Sequence, residues 1–226
     1  IEADETGAPE RVLGTKLIDL PSPDAKLTPD QIRGVAHLQG VQHHVQPAIV
    51  SITQSTELGT LYTADEITAL CDVSHEHGML VHLDGARIAN ATAALGGDVA
   101  ALRSFTIDAG VDVVSFGGTK NGCMALEAIV MRDPALHWEM QLRRKRAAQL
   151  WSKHRYLSAQ MAAYLEGDLW LANARAANAA GARLAAGLRD LGAGMEWEPQ
   201  ANMIFARLDP AAHARARAEA RYHVMD

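Results

Sequence analysis

Two side chains, one acidic and one basic, follow apolar runs of the sequence at points where chemistry can be placed. Asp84 ends the run at residues 80–83 and is followed at once by a Gly-Ala pair. Lys120 comes after the run at residues 111–115, in a turn with glycines on both sides. In open α/β sheets, ligands bind beyond the carboxyl ends of the strands, so both residues are candidates for a ligand site.

Each residue has a chemical interpretation and a plainer alternative. A carboxylate at a strand end can bind a ring nitrogen and keep a proton on it, but Asp84 can equally cap the helix that follows. A desolvated lysine can lose its proton and form a Schiff base with an aldehyde, whereas most loop lysines are only solvated. The Gly-Gly-Thr-Lys run at 117–120 does not have the spacing of a nucleotide-binding P-loop.

Asp84 and Lys120 together indicate a function more specifically than either residue does alone. They are separated by 120 − 84 = 36 residues, which leaves room for one crossover unit between parallel strands. An acidic strand end followed by a glycine-flanked lysine at the end of a later strand resembles the aspartate and Schiff-base lysine of fold-type I enzymes that use pyridoxal 5′-phosphate.

The elements that must position this pair are short strands alternating with helices. Apolar, partly β-branched runs predict strands at residues 48–53, 80–83 and 111–115, and a further short strand at 17–20. Residues 128–131 are another short apolar run. Helix starts are indicated by Thr28, with proline next and an acid in the first turn, and by Thr63, which forms a capping box with Glu66.

After residue 134 the sequence becomes almost continuously helical to about residue 191, then predicts a strand at 203–208 and a helix at 211–221. The alternation of strands and helices predicts an α/β fold. We expect a large α/β domain at residues 1–150. Residues 151–226 would then hold connecting helices and the start of a small C-terminal α+β domain.

The composition limits the function classes. The 226 residues carry a formal net charge of −6, which argues against a nucleic-acid-binding protein. The sequence contains no apolar run long enough to cross a membrane and no signal pattern at its start. Cys71 and Cys123 are lone cysteines, so neither a disulfide framework nor a metal site is predicted, and the cytoplasm is the expected compartment.

Three motifs in this order resemble those of a known family. They are SITQSTELGT at residues 51–60, HLDGAR at 82–87 and SFGGTKNG at 115–122. The chain is similar, over nearly its whole length, to low-specificity L-threonine aldolases. These belong to the β-eliminating lyase group of fold-type I enzymes that depend on pyridoxal 5′-phosphate (PLP). The resemblance therefore implies a partial PLP-binding large α/β domain of fold type I, with a mixed, mostly parallel sheet.

The resemblance also implies roles for individual residues. Lys120 matches the lysine that carries PLP as a Schiff base, and Asp84 matches the partner of the pyridine nitrogen. Arg87 matches an arginine near the cofactor and the substrate carboxylate. His43 matches a histidine near the substrate and is the candidate base, although His44 beside it remains an alternative.

Three further positions are less decided by the resemblance. His82 lies two residues before Asp84, and a role in local bonding under the cofactor is favoured over catalysis. Lys145 and Arg155 match positions that approach a neighbouring subunit's cofactor, while the basic run at 143–146 has the plainer interpretation of a solvated helix face. The family pattern implies a homodimer or homotetramer.

The implied reaction is retro-aldol cleavage of L-threonine or L-allo-threonine to glycine and acetaldehyde. A related PLP lyase acting on another β-hydroxy or β-substituted amino acid is an alternative, and so is an inactive fragment. Relative to the family, the sequence lacks an upstream phosphate-binding loop and a downstream second arginine. We therefore expect a chain truncated at both ends, which by itself binds PLP weakly or not at all.

Overall fold

A computed structural model describes residues 4–225 of the chain. Its main sheet has four strands in sequence order, the first three parallel and the fourth antiparallel. The mixed, mostly parallel sheet predicted from the sequence is therefore confirmed. The strands are β1 (Ile49–Thr53), β2 (Leu80–Gly85), β3 (Val113–Gly117) and β4 (Glu127–Met131).

Helices connect the strands and follow them, and two very short strands pair near the end of the described chain. The α-helices are α1 (Ala8–Leu13), α2 (Pro29–Ala36), α3 (Ala64–Glu76), α4 (Ile88–Leu95), α5 (Val99–Ser104), α6 (His137–Arg146), α7 (Arg155–Leu165), α8 (Leu169–Asp190) and α9 (Pro210–Glu219). The antiparallel pair is β5 (Gly194–Met195) and β6 (Ala206–Arg207). Single 3-10 turns lie at Asp4–Gly7, Thr119–Asn121, Pro134–Leu136 and Glu166–Asp168.

The helix starts follow the capping signals in the sequence. The Thr63 hydroxyl accepts a hydrogen bond from the Glu66 amide at 3.2 Å, and the Glu66 carboxylate accepts one from the Thr63 amide at 2.8 Å. Thr28 and Gln31 form the same reciprocal pair at the start of α2. Each box satisfies backbone donors that a helix start otherwise leaves unpaired, which fixes where α2 and α3 begin.

The sheet buries one face and leaves the other partly open. Val81 and Leu83 of β2 are fully buried, whereas His82 and Asp84, which point to the opposite face, are only half-buried. The buried face packs against apolar residues of α3 and α4, which form one core with residues of α7 and α8. The face that carries Asp84 is therefore the accessible one.

The C-terminal helices share this core. Trp170, Leu171 and Ala174 of α8 are buried in the same hydrophobic cluster as the strands, and Tyr164 of α7 joins them. Asn90 on α4 and Asn178 on α8 exchange two hydrogen bonds of 3.0 Å. The helices after residue 150 pack directly on the α/β unit before it. The predicted domain boundary at residue 150 therefore stays a prediction.

Two predicted strands differ from the structure. Residues 17–20 form no strand; the Leu17 amide donates to the Glu10 carboxylate at 2.7 Å, so its donor is satisfied without a sheet. The strand predicted at 203–208 shrinks to the two residues of β6. In both segments the apolar pattern was present, but a strand also needs a partner for its backbone groups.

The carboxyl ends of β2 and β3 approach each other more closely than side chains allow. A Cβ atom on Gly117 would lie 2.7 Å from the Ala86 carbonyl oxygen and 2.8 Å from that of Gly85. A Cβ on Gly85 would lie 2.5 Å from the Ser115 carbonyl oxygen. Glycine at 85 and 117 is thus required by backbone atoms that cannot move aside as a flexible side chain would.

We predict that Gly117→Ala is destabilising, because its methyl group would force the ends of β2 and β3 apart. The free energy of unfolding should fall by about 1–3 kcal/mol or more, as is typical of overpacking. Urea unfolding followed by circular dichroism measures this change.

Gly34→Ala is the matched control. Gly34 lies in the exposed middle of α2, and a methyl group added there would have no neighbouring atom within 4 Å. This substitution should be neutral or stabilise by about 0.5–1 kcal/mol through helix propensity. Equal unfolding free energies for Gly117→Ala and the unsubstituted protein would contradict the close approach of the two strand ends.

Candidate active site

Asp84 occupies the carboxyl end of β2, between Thr53 of β1 and Ser115 of β3. Its Oδ1 accepts a hydrogen bond from the Ala86 amide at 2.9 Å. Within residues 4–225, its second oxygen has no hydrogen-bond or ion-pair partner. The carboxylate is therefore oriented by the backbone on one side and available to a ligand on the other.

Asp112, at the opposite end of the strands, shows how a structural aspartate differs. One of its oxygens accepts the Val81 amide and contacts His75 Nε2, both at 2.8 Å. The other oxygen lies 3.3 Å from Arg132. This carboxylate is used completely in joining α3, β2 and the segment after β4. Asp84 has no such set of partners, which favours a ligand-binding role over the capping alternative.

Lys120 lies in the 3-10 turn at Thr119–Asn121, directly after β3. Its side chain is exposed and makes no ion pair with the described residues. The backbone of the turn is hydrogen-bonded to the segment before β4, since the amides of Gly118 and Thr119 donate to the Leu126 carbonyl at 2.9 and 3.1 Å. The Leu126 amide donates to Thr119 Oγ1 at 2.9 Å. The backbone of the turn is thus fixed while the lysine amine stays free.

Asp84 and Lys120 are brought to the same edge of the sheet. β2 and β3 are neighbouring parallel strands, so their carboxyl ends coincide, and the approach of Gly117 to Gly85 closes the gap between them. The structure therefore places the two residues as the sequence spacing predicted, at adjacent strand ends.

His82 joins three strands on the open face, one step below Asp84. Its Nδ1 lies 2.9 Å from Ser51 Oγ, and its Nε2 lies 3.0 Å from Ser115 Oγ. Burial lowers the pKa of His82, and the nearby Asp84 charge only partly opposes this shift. The ring is thus neutral at neutral pH, with both nitrogens engaged by hydroxyls. These contacts agree with the local bonding role favoured by the sequence.

Arg87 is held by an acidic residue that the sequence interpretation missed. Its Nη1 lies 3.1 Å from Glu57 Oε1, and the Arg87 side chain is 19% exposed against 64% for Glu57. Glu57 belongs to the loop after β1, whose Gln54 amide donates to the Asp84 carbonyl at 2.9 Å. The loop therefore brings its carboxylate to the strand end that carries Asp84 and to the arginine just beyond it.

Ser55 in the same loop was also missed. The residue is fully buried, and its hydroxyl has no hydrogen-bond partner among the described residues. A buried hydroxyl without a hydrogen-bond partner is uncommon in proteins, and a ligand or an ordered water can supply the partner. No periodic pattern or capping signal in the sequence could have singled out this serine.

His43 is not brought to this group by any described contact. It is exposed in the segment before β1, and its Nε2 lies 3.4 Å from the side-chain nitrogen of Gln42. The neighbouring His44 stacks edge-on with His37 at 6.5 Å between ring centroids. Asp84, Lys120 and Arg87 thus form the candidate site, and neither histidine touches it in the described chain.

The residues at this edge fit PLP. The free oxygen of Asp84 suits a protonated ring nitrogen, and the unpaired amine of Lys120 suits an aldehyde. The glycines at 117 and 118 let the backbone before Lys120 pack closely on its neighbours, since a Cβ on Gly118 would lie 3.0 Å from the Leu126 carbonyl oxygen.

Comparisons with known proteins show which family the chain is similar to. The family model for beta-eliminating lyases matches residues 1–211. Low specificity L-threonine aldolases of Pseudomonas sp. (strain NCIMB 10558) and Pseudomonas aeruginosa are each 41% identical, over 95% and 96% of this chain. A solved structure of Leishmania major threonine aldolase superposes with a TM-score of 0.90 at 31% identity, covering 97% of this chain.

The chain spans 62% and 63% of the length of the two curated relatives, and 63% of the solved structure. The residues matched by the family model, 1–211, include all three motifs and the strand ends that carry Asp84 and Lys120. The chain therefore belongs to the beta-eliminating lyase family.

Proposed function

We propose that the protein carrying this chain is a PLP-dependent aldehyde-lyase that cleaves L-threonine or L-allo-threonine to glycine and acetaldehyde. The observation that carries the proposal is the placement of Asp84 and Lys120 at the adjoining carboxyl ends of β2 and β3. The names of the relatives at 41% identity supply the reaction.

Lys120 would hold the cofactor through its aldehyde carbon, because its amine is exposed and unpaired among the described residues. The Asp84 carboxylate would accept a hydrogen bond from the protonated ring nitrogen and keep that nitrogen positively charged. PLP, when bound, supplies an electron sink for the pair left at the amino-acid Cα. Asp84 therefore controls the electronics of the reaction, and Lys120 controls where the cofactor sits.

Arg87 would bind the substrate carboxylate. A guanidinium has five N–H donors, and Glu57 engages only Nη1, so a face of Arg87 remains for a second carboxylate. Glu57 would keep the guanidinium in place while that face is used.

A base must take the proton of the substrate's β-hydroxyl, and we propose His43 for it. The support is the sequence match. Both His43 and the neighbouring His44 are exposed, and the His44 ring packs edge-on against His37. A base must come within hydrogen-bond distance of the hydroxyl. The described chain has no contact between His43 and the site, so this role rests on the resemblance.

A related lyase reaction is the second candidate, favoured by the description of the matching family model as beta-eliminating lyase. Such an enzyme would act on a β-substituted amino acid, using Lys120 and Asp84 in the same way.

We also propose a homodimer or homotetramer, in keeping with the resemblance. The region after β4 carries apolar and basic side chains on its surface: Trp138 and Trp151 are 67% and 53% exposed, and Lys145 and Arg155 are exposed too. None of the described helices is both long and apolar enough to span a membrane. The cytoplasmic location stays a prediction from the sequence.

The role of Lys120 predicts where PLP attaches. The chain has five lysines: Lys16, Lys26, Lys120, Lys145 and Lys153. After borohydride reduction with PLP and proteolysis, mass spectrometry should find the modification on the peptide containing Lys120, and Lys120→Ala should abolish it.

Lys16→Ala is the matched control, since Lys16 is an exposed lysine paired with Glu10. It should leave the modification unchanged. Attachment at several lysines to similar extents, or its persistence in Lys120→Ala, would show that Lys120 is not the cofactor lysine.

The role of Asp84 predicts a separation of cofactor attachment from turnover. Asp84→Asn keeps the shape but removes the negative charge that favours a protonated ring nitrogen. The rate of acetaldehyde release from L-threonine should fall about a hundredfold or more, the size typical of losing one electrostatic stabiliser. The covalent bond at Lys120 should still form.

Product analysis distinguishes the two candidate reactions. L-Threonine and phenylserine should give glycine and the corresponding aldehyde. Release of pyruvate and ammonia from a β-substituted alanine, with no glycine from L-threonine, would favour the alternative lyase. Full activity in Asp84→Asn would contradict the role given to this carboxylate in either reaction.

A further inference from the structure

We infer that Asn121, the residue after Lys120, is a positioning residue that locks the lysine turn to helices α7 and α8. The inference rests on the proposed role of Lys120 as the cofactor lysine. The contacts that carry it, however, belong to the chain itself and can be tested without the cofactor.

Asn121 is buried, although Thr119 and Lys120 in the same turn are exposed. Its Nδ2 donates to the Tyr164 hydroxyl at 2.5 Å and to the Trp170 carbonyl at 2.8 Å. Its own carbonyl accepts a hydrogen bond from Asn173 Nδ2 at 3.0 Å. Three hydrogen bonds thus join one residue of the turn to three residues of α7 and α8.

The flanking residues close the same contact. Gly122 has a left-handed backbone with φ of 111°, and a Cβ there would lie 2.9 Å from Asn173 Nδ2. On the other side of Lys120, the Phe116 ring contacts Tyr164 and Trp170, with ring centroids 6.5 and 5.8 Å apart. Lys120 is therefore held between two anchors that share the same partners.

The chemistry of the partners fits a fixed anchor. Burial raises the pKa of Tyr164, so its hydroxyl is neutral at neutral pH and can accept the Asn121 amide proton. The Trp170 carbonyl can only accept. An amide donor at 121 satisfies both, whereas a carboxylate of the same shape could not donate to Trp170.

The consequence is that the position of the Lys120 amine depends on helices far along the chain. Tyr164 and Trp170 follow Asn121 by 43 and 49 residues. Small misplacements of a reacting group, on the order of 1 Å, are costly to chemistry. A loosened Asn121 should therefore weaken the bond between Lys120 and PLP even though Lys120 itself is intact.

A second contact of α8 provides the matched control. Asn90 and Asn178 form a second amide pair that joins α4 to α8, away from the lysine turn. Asn178→Ala removes a side-chain amide that bonds across to a neighbouring element, as Asn121→Ala does, but at the contact between α4 and α8. It should reduce overall stability without changing the turn, and so separates a general structural effect from positioning.

The experiment compares Asn121→Ala, Asn121→Asp and Asn178→Ala with the unsubstituted protein, using two measurements. The first is amide hydrogen exchange of residues 118–126 without cofactor, where backbone bonds such as Gly118 to Leu126 report on the turn. The second is the affinity for PLP, measured from the borohydride-reducible bond at Lys120.

Both Asn121 variants should speed exchange in the turn and weaken PLP binding by about tenfold or more, as expected when buried hydrogen-bond groups lose their partner. Asn178→Ala should leave both within about twofold, because sites without shared partners are independent. If Asn121→Ala does not fold, Tyr164→Phe removes one of the bonds and should shift both measurements in the same direction by less.

The inference is overturned if Asn121→Asp matches the unsubstituted protein, or if Asn178→Ala loosens the turn as much as Asn121→Ala does. Failure of the proposed function gives a different result. In that case the unsubstituted protein forms no bond at Lys120, while the exchange of residues 118–126 still decides the role of Asn121.

Discussion

The contact between the backbone ends of β2 and β3 is the constraint on which the candidate site depends. Gly117 lies against the carbonyls of Gly85 and Ala86 at distances that no side chain could fill. Because the two strands are parallel, this contact sets the end of one strand beside the end of the other. This contact determines the positions of Asp84 and Lys120. Asp84 directly precedes the contact on β2, and Lys120 comes three residues after it on the segment that follows β3.

Some residues around the site hold its backbone in place, and others would bind the ligand. Leu126 and Asn121 hold the backbone of the lysine turn, and the Ala86 amide orients Asp84. The Lys120 amine and the second oxygen of Asp84, which would meet the ligand, have no partners among the described residues. A rigid backbone with free functional atoms is the arrangement that preorganised sites require, because little order must be imposed when the ligand binds.

The sequence was sufficient to predict the three parallel strands and the placement of Asp84 and Lys120 at strand ends, because both leave local signals. Strand ends, flanking glycines and capping boxes at Thr28 and Thr63 each involve residues close together in the chain. The strand expected at 17–20 was wrong because an apolar run does not specify a partner, and here Glu10 satisfies Leu17 instead.

Glu57, Ser55 and Asn121 could not be found in this way. Glu57 reaches Arg87 across 30 residues, and Asn121 reaches Tyr164 across 43. Residue types and their periodicity do not predict such pairs. They are tertiary contacts that form only when the loop after β1 and the helices α7 and α8 have folded. His43 is the opposite case, since a residue match pointed to it and no described contact joins it to the site.

The most direct measurement is a crystal structure of the protein after borohydride reduction in the presence of PLP. We expect continuous electron density from Lys120 Nζ to the cofactor, with the ring nitrogen within hydrogen-bond distance of the Asp84 carboxylate. Cofactor attached to another lysine, or a ring nitrogen on Lys120-bound cofactor turned away from Asp84, would contradict the assignment of this strand edge as the active site.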